Sequence, residues 1–162
     1  MQSVPIELVN LTIKTFDNYS EKKIGKMLQN FDKQQPEINQ YIRGLVEAYK
    51  WNTLETSTYL MIITMAYVMM RRSENVDKLP LVTQSQLLSK QFDNERIIDT
   101  TQDVHESGDA LLEMIETHNQ SHVLAFIVTA LQTAYLENEM IEEKNLLPAI
   151  VHLKSVLDCL DA

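Results

Sequence analysis

The sequence predicts an all-α fold, a compact bundle of about six or seven helices in a single domain spanning residues 1–162. Three observations carry that expectation. The stretch YLMIITMAYVMM, from Tyr59 to Met70, is apolar but for Thr64. A membrane-spanning helix needs about 20 such residues, so this run belongs inside a water-soluble bundle and no membrane insertion is expected. Glycine and proline number only three and four, while Leu, Met, Glu, Gln and Lys are common, a mixture that favours helices. Apolar residues also recur at helical spacing between capping signals along most of the chain.

The elements follow in order. Pro5, with Glu7 in the first turn, launches a helix whose Ile6, Val9, Ile13 and Phe16 form one stripe. Ser20 caps a second, in which Ile24, Met27, Leu28 and Phe31 oppose a lysine face, with Gly25 as a weak point. Pro36 and Glu37 open a third, directing Ile38, Tyr41, Ile42, Leu45 and Tyr49 inward. Asn52 and Glu55 have the spacing of a capping box, which places a turn near residues 50–53 and starts the long apolar helix that ends at Arg71 and Arg72. Residues 73–83, with Pro80, read as a long connection, followed by a short helix around Gln84–Phe92. Thr100 and Asp103 suggest another capping box, before a helix carrying Val104, Leu111, Leu112 and Ile115. A further apolar helix is expected from His122 to about Glu143. The last starts near Asn145 and Pro148, with Leu146, Ile150, Leu153, Leu157 and Leu160 on one side.

A weak internal echo raises the alternative of two related halves, roughly residues 36–92 and 101–160. YIRGLVEAY at 41–49 can be laid on ALLEMIETH at 110–118, and Leu79–Pro80 on Leu147–Pro148. Under that reading the two apolar helices, 54–72 and 122–143, are equivalent central members, free to pair with each other.

The formal charge is −9, and it is concentrated. Residues 91–162 hold fourteen Asp and Glu against three Lys and Arg, so this half presents an acidic surface unsuited to phosphate backbones. Basic residues gather at Lys22, Lys23, Lys26 and Lys33, and again at Arg71 and Arg72. The plain reading is a solvated face, and the sharper one a docking patch for an acidic partner or nucleic acid. Cys159 is the sole cysteine, and the opening MQSVPIELVN lacks the features of a secretory signal, so a reducing, cytoplasmic setting is expected.

Candidate chemistry is sparse. His118 and His122 are spaced to share a metal if one helix carries both, with Glu116 and Asp103 as further ligands, but Asn119–Ser121 reads as a helix boundary between them. His105 and Asp109 have the spacing of an ion pair or an oriented base; no nucleophile motif accompanies them, and Ser107 faces elsewhere. Glu137, Glu139, Glu142 and Glu143 lack the patterns of a di-metal bundle or a calcium loop. Among the eight methionines, those at 61, 65, 69, 70 and 140 suit core filling or an adaptable groove. Trp51, at the turn expected near residues 50–53, either covers a helix end or anchors a partner. Cys159 has no neighbouring cation to activate it. Glycine-rich phosphate loops, HExxH, CxxC and nucleophile elbows are all missing, so no cofactor is expected and an enzyme is disfavoured.

The leading functional expectation is a non-enzymatic adaptor, regulator or inhibitor that binds another protein, with homo-oligomerisation as a variant. Its candidate surface comprises Trp51, Lys22, Lys23, Lys26, Lys33, Arg71 and Arg72. The alternatives are a nucleic-acid-associated regulator using the Lys22–Lys33 face, and a small metal- or ligand-binding bundle or enzyme near His118 and His122.

Overall fold

The computed structural model describes residues 1–100 and 107–162, with the side chains of 97–100 and 107 left aside. Among the described residues there are eight helices and no strand: α1 (Ile6–Asp17), α2 (Glu21–Gln34), α3 (Pro36–Tyr49), α4 (Thr53–Ser73), α5 (Gln84–Thr100), α6 (Ser107–Thr117), α7 (Ser121–Leu136) and α8 (Glu143–Leu160). None of them is long and apolar enough to cross a membrane. The expected Thr100–Asp103 capping box, Val104 and the His105–Asp109 pair rest on residues outside the described set.

Local chemistry sets most boundaries. The Ser20 hydroxyl accepts a 3.2 Å hydrogen bond from the Lys23 N–H and caps α2. The Asn52 carboxamide accepts from the Glu55 N–H at 2.8 Å, while the Glu55 carboxylate accepts from the Asn52 N–H at 3.2 Å, a reciprocal capping box that starts α4. At the end of α3, Lys50 takes the left-handed conformation at φ 57°, and the Trp51 N–H closes on the Val46 carbonyl at 3.2 Å. That sharp reversal turns the indole inward.

Helix α7 is shorter than the apolar pattern predicts. It stops at Leu136, and the chain turns through Glu139 at φ 52° before α8 begins at Glu143. The carboxylates of Glu137 and Glu139 would extend a helix at its negative end, whereas Glu143 sits in the first turn of α8, where the dipole favours an acid. Pro148 therefore lies inside α8 rather than at its start.

Helices α4 and α8 are the most enclosed, burying Tyr59, Ile63, Ala66, Met69 and Met70 from one and Ala149, Ile150, Leu153, Val156 and Leu157 from the other. Each large apolar side chain so removed from water stabilises the fold by about 1.5–3 kcal/mol. Helix α7 packs on both, through Val123, Leu124, Ile127 and Leu131. Its opposite side stays open. The 74–83 connection is fastened rather than loose: Gln35 donates to the Pro80 carbonyl at 2.9 Å and accepts from the Val82 N–H at 3.0 Å.

Candidate functional site

Three helices converge at one corner. The Val4 N–H donates to the Gln120 side-chain oxygen at 2.9 Å, and the Gln120 amide donates to the Gln2 carbonyl at 2.9 Å. The Gln2 N–H reaches Glu74, just past the end of α4, at 3.1 Å. Gln120 is fully buried, so these bonds fix the starts of α1 and α7 beside the end of α4. From this corner α1 and α7 run outward as two walls, with α4 as the floor between them.

The groove so formed has a volume of about 790 Å³. Ile6, Val9, Asn10, Ile13 and Asp17 line it from α1, at the spacing of one helical face. Helix α7 contributes a face of mostly small residues, Ala125, Thr129, Ala130 and Thr133, with Phe126 and His122 beside them. Met61 and Met65, one turn apart, form the floor, and Met140 closes the far end, its sulfur 3.9 Å from the Thr58 hydroxyl. Asp17 is the one Asp, Glu, Lys or Arg side chain in this lining, and α7 has none from Ser121 to Leu136.

The methionines thus divide by position. Met69 and Met70 are fully buried, whereas Met61, Met65 and Met140 are only partly covered. Trp51 is 4% exposed, stacked on Tyr49 at 5.6 Å between ring centroids and edge-on to Tyr59 at 4.5 Å. It covers a helix junction and offers no accessible ring to a partner. Its indole N–H has no hydrogen-bond partner among the described residues. Lys22, Lys23, Lys26 and Lys33 are exposed on α2, with the Lys23 ammonium 5.4 Å from the Tyr19 ring. Arg71 and Arg72 are half-buried and hold their own chain, donating to the Asp77 carbonyl at 3.2 Å and the Thr12 hydroxyl at 3.4 Å.

The two histidines weighed as metal ligands part company. His122 lies exposed on the groove wall. His118, in the turn between α6 and α7, accepts from the Gln120 N–H at Nδ1 (2.8 Å), which places its proton on Nε2, 2.7 Å from Asp158. Asp158 also accepts from Asn94 at 2.8 Å and from Lys154 at 2.7 Å. Burial raises the Asp158 carboxyl, but hydrogen bonds from His118, Asn94 and Lys154 and the lysine charge outweigh it and bring the group down to about 2. A hollow of about 460 Å³ beside these residues has Asn94, Lys154 and Asp158, already paired to one another, in its lining together with Lys90, Asp93 and Asp161. Both nitrogens of His118 are occupied, which leaves it no free lone pair for base catalysis. Among the described residues no three His, Cys, Asp or Glu side chains converge to hold a metal ion.

A second buried histidine, His152 on α8, sits between two tyrosines. Tyr41 OH is 2.8 Å from Nδ1 and Tyr49 OH is 3.0 Å from Nε2. Burial lowers its pKa to about 4, against a smaller opposing effect of Glu95. Burial likewise pushes the Cys159 thiol up to about 11, far from a reactive thiolate.

No family model, curated protein or solved structure matches the chain. Function therefore rests on its own residues.

The groove residues carried one sequence signal that composition alone obscured. His122, Thr129, Gln132 and Thr133 recur along α7 at the spacing of one helical face, a line of uncharged polar residues through an apolar helix. Such a line marks the side turned to solvent. Helix α4 offers no comparable marker for Met61 and Met65, because it is apolar on every side.

Proposed function

We propose that the protein is a non-enzymatic interaction module, an adaptor or regulator, that receives an apolar helix of a protein partner between α1 and α7. The observation that carries this reading is the open apolar groove of about 790 Å³, one wall of which is a helix without a charged residue. A surface helix of a monomer ordinarily turns charged residues to water. The wall from Ile6 to Asp17 supplies about 17 Å of length, three turns of an accommodated helix. A floor of methionines adapts to irregular apolar side chains, and small residues on α7 leave room for close approach. The single cysteine, buried and unactivated, suits a cytoplasmic setting.

Thr129 is exposed and lines the groove, so Thr129→Arg fills it without entering the core. Peptides selected against the protein from a display library are expected to carry apolar residues at i, i+3 or i+4, and i+7. Thr129→Arg is expected to weaken them at least about tenfold, the equivalent of about 1.4 kcal/mol, while the urea unfolding midpoint stays put. Equal binding to both proteins would remove the groove as the docking surface. A wild-type dimer that Thr129→Arg splits into monomers, seen by mass in solution, would assign the face to a second copy instead.

A further inference from the structure

We infer that Met61, Met65 and Met140 form an oxidative modification site that controls the groove: peroxide converts their thioethers to sulfoxides, which exclude the helix, and reduction restores docking. This rests on the docking role proposed above and adds its regulation.

Position sorts the sulfurs by what reaches them. Met61 and Met65, four residues apart, present one face of α4 to the groove, and Met140 closes its far end. All three are only partly covered, and the space they line, about 790 Å³, admits a molecule as small as hydrogen peroxide. Met69 and Met70, on the same helix, are fully buried in the core. The Thr58 hydroxyl directs its proton to the Leu54 carbonyl at 2.8 Å, so its 3.9 Å approach to the Met140 sulfur leaves lone pairs there free to react. Met1, Met27 and Met114 are also reachable, but none of them lines the groove. The chain's one thiol does not compete: Cys159 is buried on α8, and burial keeps it protonated, whereas the thiolate is the form that attacks peroxide.

The oxidant is a peroxide. A thioether lone pair attacks one peroxide oxygen, and the S–O bond forms as the O–O bond breaks. The departing hydroxide takes up the proton left on the transferred oxygen, so each event yields one sulfoxide and one water. Sulfur is oxidised by two electrons and the peroxide is reduced. The product is a polar side chain where a flexible apolar one stood. In the open groove water hydrates its oxygen, and the core behind it keeps its contacts. A seated apolar helix strips that water and brings no donor in its place, so the cost falls on docking rather than on folding.

The test treats the protein with hydrogen peroxide and reads the sulfoxide at each methionine by tandem mass spectrometry. Met61, Met65 and Met140 are expected to oxidise well before Met69 and Met70, while the circular dichroism stays helical. The display-selected helical peptide is expected to bind this oxidised protein at least about tenfold more weakly, and methionine sulfoxide reductase should restore its affinity. Met61→Leu, Met65→Leu and Met140→Leu together keep the floor apolar and remove its sulfurs. Measured against its own untreated affinity, this variant should not respond to peroxide. A second readout needs no substitution: saturating peptide should shield the three groove sulfurs of the wild-type protein, while Met27 and Met114 oxidise as before. Groove sulfoxides with unchanged wild-type affinity, or an equal loss in the leucine variant, would overturn the switch and leave docking standing. A peptide that binds without shielding these sulfurs would overturn both. If the untreated wild-type protein binds no helical peptide, docking falls and the switch with it.

Discussion

Replacing Glu55 with alanine is expected to destabilise the protein by about 4 kcal/mol, because it strands several buried donors at once. Glu55 is fully buried. One carboxylate oxygen accepts from the Asn52 N–H at 3.2 Å; the other accepts from the Asn145 amide at 2.8 Å and from the Tyr59 hydroxyl and the Glu142 N–H at 3.3 Å each. One side chain thereby joins the start of α4 to the turn between α7 and α8, which carries Met140 to the end of the groove. Glu55→Gln separates shape from charge. Its amide nitrogen must face either three donors or one, so a conflict survives in both orientations, and a loss of about 2 kcal/mol is expected. Urea unfolding at neutral pH measures both losses. Two variants within about 0.5 kcal/mol of wild type would show that these bonds do not hold the junction.

The second large effect is a loss of stability in mild acid. The folded protein holds His152 neutral down to about pH 4, because burial disfavours the imidazolium and both ring nitrogens are engaged by Tyr41 and Tyr49. In the unfolded chain the same imidazole titrates near its ordinary 6.5. The folded pKa is the lower one, so the unfolded state takes up the proton first. This contribution is intact above about pH 6.5 and drains away as pH falls from there toward 4. A single group so displaced lowers stability by about 2 kcal/mol between pH 7 and pH 5. Asp158, down at about 2, adds its own loss only below the ordinary carboxylate range, so the two phases separate in pH. His152→Phe should flatten the upper phase while lowering stability at neutral pH, since the buried Tyr41 hydroxyl loses its partner. A pH 7-to-5 difference that His152→Phe leaves intact would place the acid sensitivity elsewhere.

Helix identity and order were legible because capping chemistry is local. Ser20, Pro36 and the Asn52–Glu55 box declare their helices within a few residues. The premature end of α7 was not, since it depends on how acids sit against a helix terminus, a balance that apolar periodicity ignores. Trp51 depended on a left-handed turn at Lys50, a residue that seldom marks such a conformation. The site was harder still. Nothing in an evenly apolar helix says which face its neighbours leave uncovered, so Met61 and Met65 became distinguishable from Met69 and Met70 only through the placement of α1 and α7 over α4. The contacts of His118 with Asp158 and of His152 with Tyr41 and Tyr49 likewise join residues far apart in sequence.

The docking role of the groove is tested most directly by the methyl resonances of carbon-13-labelled methionine, recorded as a selected helical peptide is added. The signals of Met61, Met65 and Met140, which line the groove, are expected to shift in step with occupancy, while those of the buried Met69 and Met70 hold still. Shifts confined to the other methionines, or none at all with the peptide bound, would place the binding surface elsewhere.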